Sequence, residues 1–97
     1  MTTPDLQNIH IIVSDVDGVW TDGRIIYMGD SREIKAFNVR DGLGVKIAQK
    51  AGIEIAVVTS RSSKALTRRC RELSIRHLQQ AARNKLEAMD QILDELK

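Results

Sequence analysis

The sequence predicts a small α/β domain built on a parallel sheet. Three observations point there. Ile9 to Val13 (IHIIV) is a β-branched run that stops at an acidic turn, Ile53 to Val58 is a second strongly β-forming run, and stretches of helical periodicity separate and follow them. Nearly continuous apolar strands suit a sheet covered on both faces, and parallel strands need crossover helices to connect them.

Each element has its own signal. Ile9 to Val13 reads as a buried strand. Arg24 to Met28 and Glu33 to Phe37 are extended segments flanking Gly29-Asp30-Ser31-Arg32, a hairpin pattern. Asp41 is placed to cap a helix carrying Leu43, Val45, Ile47 and Ala48, with Gly52 near its end. After the strand at 53–58, Ser62 or Ser63 caps a helix whose Leu66, Cys70 and Leu73 recur at spacings of four and three. Ile75 to Leu78 is a short, weak strand. From about Asn84 onward, Leu86, Met89, Leu93 and Leu96 recur at helical spacing. The order strand, hairpin, helix, strand, helix, strand, helix implies an α/β sheet with right-handed crossovers.

Composition narrows the functional classes. Ninety-seven residues suit a single domain, and 42% hydrophobic with 29% charged is the balance of a globular chain. A net charge of +2 gives no reason to expect a nucleic-acid partner. Cys70 is the only cysteine, which excludes an intrachain disulfide or thiolate cluster and suits a reducing cytoplasm. No apolar stretch approaches the roughly 20 residues that span a bilayer. MTTPDLQN lacks a signal peptide's basic-then-apolar layout, so export is not expected.

The chemistry concentrates in VSDVDGVWTDG, residues 13–23. In open α/β sheets reactive groups sit just past the carboxyl ends of strands. Asp15 and Asp17 lie past the first strand; Thr59, Ser60 and Arg61 lie past the second, on the same edge. Two carboxylates can divide labour, one attacking or binding metal and the other carrying a proton. Gly18 lets the backbone turn closely around a bound ion or phosphate. Lys85 starts the last helix, where a cation opposes the helix dipole. Taken alone, each residue has an ordinary reading: a solvated turn, a strand-end threonine, a surface lysine. Together, acids, hydroxyl and ammonium at one sheet edge describe a phosphoryl-transfer site, with a divalent cation offsetting repulsion between carboxylate and phosphate.

The segments DVDGVWTDG, YMGDSREIKAFNVRDG, VVTSRSS and the NK of ARNKLEAM resemble the haloacid dehalogenase superfamily. More narrowly they resemble the 3-deoxy-D-manno-octulosonate 8-phosphate phosphatases of lipopolysaccharide precursor synthesis, from about Ile9 to the last residue. KAFNVRDG behind a hairpin is the most specific of these segments. The resemblance implies a Rossmann-like core with a parallel sheet and a small flap, the hairpin from Arg24 to Phe37. It makes Asp15 the nucleophile that forms an aspartyl-phosphate, and Asp17 the group that protonates the sugar alkoxide and then activates water. Mg²⁺ would bind the Asp15 carboxylate and the Asp17 carbonyl, while Thr59 and Lys85 orient and neutralise the phosphoryl group. Asn38, Val39, Arg40, Asp41 and Gly42 match the substrate-binding stretch, and Lys46, Arg61 and Arg69 match further substrate contacts. Family members with this flap form ring-like tetramers whose neighbouring subunits help close each site.

The sequence also departs from that family. Ser60, Ser74 and Ala81 stand where it has glycine, and positive φ at Ser74 or Ala81 would cost on the order of 1 kcal/mol. A further acidic motif and the C-terminal strands of the family have no counterpart, which predicts a weak magnesium site and impaired activity. The chain is expected to be either a fragment or a short natural form. Two rival readings stay open: a non-catalytic oligomerisation module like the domain following some acylneuraminate cytidylyltransferases, and a receiver-like phosphate sensor, which leaves the flap unexplained. Lys64, Arg68, Arg69, Arg71 and Arg76 form a basic cluster able to steer an anionic sugar phosphate, but all except Arg69 read mainly as a solvated helix face; Cys70 reads as core, and His10 and His77 as non-catalytic. Trp20 stands at a position usually aliphatic, where anchoring the flap is the expected role.

Overall fold

A computed structural model of the chain describes residues 9–27, 29 and 33–96. Eight elements follow the expected order: β1 (Ile11–Ser14), β2 (Ile26–Tyr27), β3 (Glu33–Ile34), α1 (Val39–Lys50), β4 (Glu54–Val58), α2 (Lys64–Glu72), β5 (His77–Gln79) and α3 (Lys85–Glu95). β4 is the centre of a three-stranded parallel sheet in the order β1-β4-β5, with Ile11 opposite Glu54 and Ala56 opposite His77. β2 and β3 pair antiparallel, Ile26 against Ile34, as the hairpin signal requires. Most of its turn, and the N-terminal MTTPDLQN, lie outside the described residues.

The core follows from the pleat of β4. Ile55 and Val57 face one way, onto Leu66, Cys70 and Leu73 of α2 with Val45 and Ala48 of α1 against them. Ala56 and Val58 face the other way, onto Ala88 and Ile92 of α3. A central strand buried on both faces needs this run of apolar residues, each worth about 1.5–3 kcal/mol when a large aliphatic is fully buried. No helix among the described residues is long and apolar enough to cross a membrane.

Four expectations need correction. Among the described residues β1 is the outer strand of the sheet, and Ile12 is 43% exposed there where a buried strand was expected. The α1 cap is Asn38, whose Oδ1 accepts from the Arg40 N–H at 2.8 Å, and Asp41 falls in the first turn, favourable to the dipole. Leu43 and Ile47 lie on the outer face of α1, because Val45 and Ala48 occupy the side toward the sheet. In α3 the stripe over Ala56 and Val58 centres on Ala88 and Ile92 and takes in Met89 and Leu96, leaving Leu86 and Leu93 exposed.

The helix ends account for one of the departures at glycine, Ser74. α1 closes with Gly52 at φ +87, its N–H donating to Gln49 O and that of Ile53 to Ala48 O. α2 closes in the same way, Ser74 N–H to Arg71 O and Ile75 N–H to Cys70 O, with Ser74 at φ 58. Both are Schellman closures, and the second places a residue with a Cβ in the left-handed region. Ala81 is also there, at φ 54.

Candidate active site

The two acids are presented together by the residue between them. Val16, 1% exposed, plugs the core, so Asp15 and Asp17 on either side of it turn away from the apolar interior. The Val16 carbonyl accepts from the N–H groups of Val19, Trp20 and Thr21 at 2.8–3.3 Å, closing a tight loop in which Gly18 sits at φ +81. Asp15 accepts from the Val16 N–H at 2.8 Å through Oδ1 and from Lys85 Nζ at 2.9 Å through Oδ2. The Lys85 hydrogen bond, then the Val16 N–H and the ammonium charge, hold the Asp15 carboxyl below the ordinary carboxylate range against a small desolvation penalty.

Thr59 directly follows β4 and is buried. Its N–H donates to Gln79 O, its carbonyl accepts from Ala82 N–H, and Oγ1 accepts from Arg61 N–H at 3.3 Å. The loops after β4 and β5 are clasped. Ala81 N–H donates to Arg61 O, Gln80 Oε1 accepts from Ser63 N–H, and Gln80 Nε2 donates to Thr67 Oγ1, the last two at 2.7 Å. Asn84 then caps α3 through Leu86 and Glu87 N–H, fixing the start of the helix from which Lys85 reaches Asp15. The sheet thus carries both motif loops to one edge.

Two further residues of this edge are ones the sequence pattern does not single out. Lys35, in the return arm of the hairpin, has a side chain only 3% exposed and donates to Asp17 Oδ1 at 2.8 Å. Alternation was the available signal: Lys35 and Phe37 share one face of the arm, Phe37 packs on the core, and Ile34 on the other face is exposed. Ser14 Oγ accepts from the Trp20 indole N–H at 2.9 Å and donates to the Asp15 carbonyl at 2.8 Å. Trp20 packs on the core as expected of an anchor, and it also lines a cavity with Phe37, Asn38 and Asp41.

The remaining candidates are dispersed. Arg40, Asp41 and Val39 are exposed at the start of α1, and Gly42 is buried there. A Cβ at Gly42 would collide with the Arg69 guanidinium, so this glycine admits Arg69 against the α1 backbone. Lys46 Nζ donates to Ser74 Oγ at 3.2 Å, on the turn before β5 and hence at the opposite edge of the sheet from Asp15. Arg61 is half-buried in the loop after Thr59. Arg68 and Arg69 pair with Glu72, and Arg76 with Glu54. His77 meets Glu95 near the end of α3, and Cys70 is core, its thiol pushed up to about 11 by burial.

Magnesium takes hard oxygen donors in an octahedral shell. Asp15 and the Asp17 carbonyl are donors of that type, yet both carboxylates are engaged by lysines. Among the described residues no group of three or more His, Cys, Asp or Glu side chains is placed to hold a metal. The described residues do not make up a magnesium site on their own.

No family model matches the chain. It is 47% identical over 91 residues to the 3-deoxy-D-manno-octulosonate 8-phosphate phosphatase of Escherichia coli strain K12, a match covering 93% of this chain and 48% of that protein. The crystal structure of the Yersinia pestis phosphatase of the same name superposes with a TM-score of 0.89 at 41% identity, covering 93% of this chain and 49% of the other. That from Moraxella catarrhalis, in complex with a magnesium ion, a phosphate ion and a KDO molecule, superposes with a TM-score of 0.88 at 41% identity, covering 93% and 52%. The chain spans about half the length of the curated relatives it matches.

Proposed function

We infer that this chain, which belongs to the haloacid dehalogenase superfamily and, within it, to the 3-deoxy-D-manno-octulosonate 8-phosphate phosphatase family, carries out that family's reaction. It is a phosphomonoesterase that hydrolyses a 3-deoxy-octulosonate phosphate to the sugar acid and orthophosphate, with activity reduced by its incomplete metal shell. An Asp15 carboxylate oxygen attacks phosphorus, the bond to the sugar oxygen breaks, and the departing alkoxide takes a proton from Asp17, which at that step is in its acid form and no longer ion-paired with Lys35. Asp17 then removes a proton from water, which attacks the aspartyl-phosphate, releases orthophosphate and restores Asp15. Lys85 and Thr59 hold the phosphoryl oxygens; an ammonium beside Asp15 offsets the repulsion between two anions.

Magnesium would add positive charge at the same oxygens when bound. Asp15 and the Asp17 carbonyl would be this chain's contribution to its shell. Asn38, Val39, Arg40, Asp41, Arg61 and Arg69 would supply the sugar contacts, with Gly42 making room for Arg69 against the α1 backbone. Lys46, from its place beside Ser74, would serve a neighbouring subunit in a homotetramer. The setting is cytoplasmic lipopolysaccharide precursor synthesis.

The observation that carries this reading is the 2.9 Å contact between Lys85 and Asp15, which joins two motifs 70 residues apart. Phosphate release from 3-deoxy-D-manno-octulosonate 8-phosphate with magnesium tests it. Slow release that disappears in Asp15→Asn is expected; equal release by that variant sinks the reading.

One observation favours the second reading, a non-catalytic assembly module. Val39, Leu43 and Ile47 form a stripe along α1 that is 81%, 62% and 60% exposed. On that reading the chain assembles, turns over no substrate, and is indifferent to Asp15→Asn.

A further inference from the structure

We propose that Ser14 and Trp20 are positioning residues for Asp15, joined in one run of hydrogen bonds that fixes the direction of the Asp15 carboxylate. This rests on the phosphatase reading, in which Asp15 attacks phosphorus, and adds to it two residues that act through Asp15.

The contacts are continuous. Trp20 Nε1–H donates to Ser14 Oγ at 2.9 Å, and the Ser14 hydroxyl donates to the Asp15 carbonyl at 2.8 Å. That carbonyl belongs to the same peptide as the Val16 N–H, which donates to Asp15 Oδ1 at 2.8 Å. A peptide is planar, so a bond that sets its carbonyl also sets its N–H. Ser14 therefore acts on the carboxylate through the plane of one peptide. Lys85 meets the other oxygen, Oδ2, at 2.9 Å, from the end of a long side chain that is 46% exposed. The main-chain hold on Oδ1 is the stiffer of the two.

Trp20 supplies what Ser14 lacks. A serine hydroxyl on its own rotates among acceptors. With the indole N–H on its oxygen, the Ser14 proton is directed to the Asp15 carbonyl, and hydrogen bonds in series strengthen one another. The indole is itself fixed. Its ring packs on the core cluster that holds Val16, Val57 and Leu66, and the Trp20 main-chain N–H donates to the Val16 carbonyl at 2.8 Å. Phenylalanine would fill much of the same space but has no N–H to give. A carboxylate aimed by its surroundings attacks more readily than one free to turn. Ser14 and Trp20 therefore bear on the rate of attack, and not on affinity for a phosphoryl group held by Lys85 and Thr59.

Trp20→Phe removes the indole N–H and keeps an aromatic ring, Ser14→Ala removes the hydroxyl, and Ser14→Thr keeps it. These variants and the Ser14→Ala, Trp20→Phe double variant are checked for native circular dichroism. Phosphate release from 3-deoxy-D-manno-octulosonate 8-phosphate with magnesium is then measured. The proposal requires kcat about tenfold lower in Ser14→Ala and about threefold lower in Trp20→Phe, with KM unchanged. It also requires near wild-type kcat in Ser14→Thr and a double variant no slower than Ser14→Ala. Unchanged kcat in both single variants overturns it and leaves the phosphatase reading intact, with Trp20 a flap anchor. Losses that multiply in the double variant, or that Ser14→Thr does not restore, overturn it as well. Amide hydrogen exchange in the free chain gives a readout that needs no turnover. Val16 should exchange about tenfold faster in Ser14→Ala, and faster also in Trp20→Phe, while Ala56 and Val57 of the central strand keep their wild-type rates. Unchanged Val16 exchange, or a rise shared by Ala56 and Val57, overturns the proposal. No phosphate release by the wild-type chain overturns both the proposal and the phosphatase reading.

Discussion

Lys35 and Asp17 form an ion pair at 2.8 Å in which the lysine side chain is almost wholly buried and the aspartate is 29% exposed. The pair links the hairpin to the loop carrying both motif acids, so the hairpin is part of the site. Neither partner is easily removed alone, because the survivor would keep a desolvated charge. Lys35→Met is expected to destabilise the chain by about 1–3 kcal/mol. Lys35→Met combined with Asp17→Asn should recover part of that loss. Urea denaturation of the four proteins in a double-mutant cycle measures the coupling; strict additivity would mean the pair contributes nothing.

Asp15 is held ionised by Lys85 and by the Val16 N–H, so its folded-state carboxyl lies below its ordinary value of 3.8. The sign follows: the stabilisation from this group is present above 3.8 and is lost as pH falls through the lower folded value. Lys85→Met should move the Asp15 titration up toward 3.8, with the Val16 N–H holding it partly down. Carboxyl carbon NMR of the two proteins between pH 2 and pH 6 (roughly the span in which carboxylates titrate) reads this. An identical titration in the variant would show that the contact is not made in solution.

Ser74 and Ala81 carry positive φ, 58 and 54, where the Cβ of any residue is strained. Ala81→Gly should stabilise the chain by up to about 1 kcal/mol. Ser74→Gly should give less, because Ser74 Oγ also accepts from Lys46. Thermal unfolding at fixed pH separates the two. A lower melting temperature for Ala81→Gly would contradict the assigned backbone.

Gly42 presents the opposite case, a helical glycine kept for space. Gly42→Ala gains helix propensity of about 1 kcal/mol but drives a methyl into the Arg69 guanidinium and toward Leu73. The expected outcome is no net gain in stability and a displaced Arg69, seen as a weaker response to sugar-acid binding. A stabilisation of about 1 kcal/mol would show that Arg69 moves aside freely.

The sequence made the convergence of Asp15, Thr59 and Lys85 on one edge legible, because strand order and the strand-end rule fix it without side-chain detail. A serine cap at 62 or 63, a last helix from about Asn84, and Leu66, Cys70 and Leu73 as the inner face of the helix between them were legible for similar local reasons; the structure uses Ser63 as the cap, and Asn84 caps α3. Lys35 was not: a lysine beside Ile34 reads as the solvent side of a strand, and only the partner 18 residues earlier makes its burial tolerable. The start of α1 was misplaced because Asn38 and Asp41 both make good caps, and only the path out of the hairpin chooses between them. The α3 stripe was misread through its large leucines, since the sheet face beneath it, Ala56 and Val58, is matched by Ala88 and Ile92.

The most direct test is to trap the covalent step. The chain is mixed with 3-deoxy-D-manno-octulosonate 8-phosphate and magnesium, quenched in acid, digested, and mapped by mass spectrometry. A phosphoryl group on the peptide carrying Asp15, lost in Asp15→Asn and diminished in Lys85→Met, is the predicted result. An unmodified Asp15 under conditions where orthophosphate is released, or a phosphoryl group on another residue, would contradict the account.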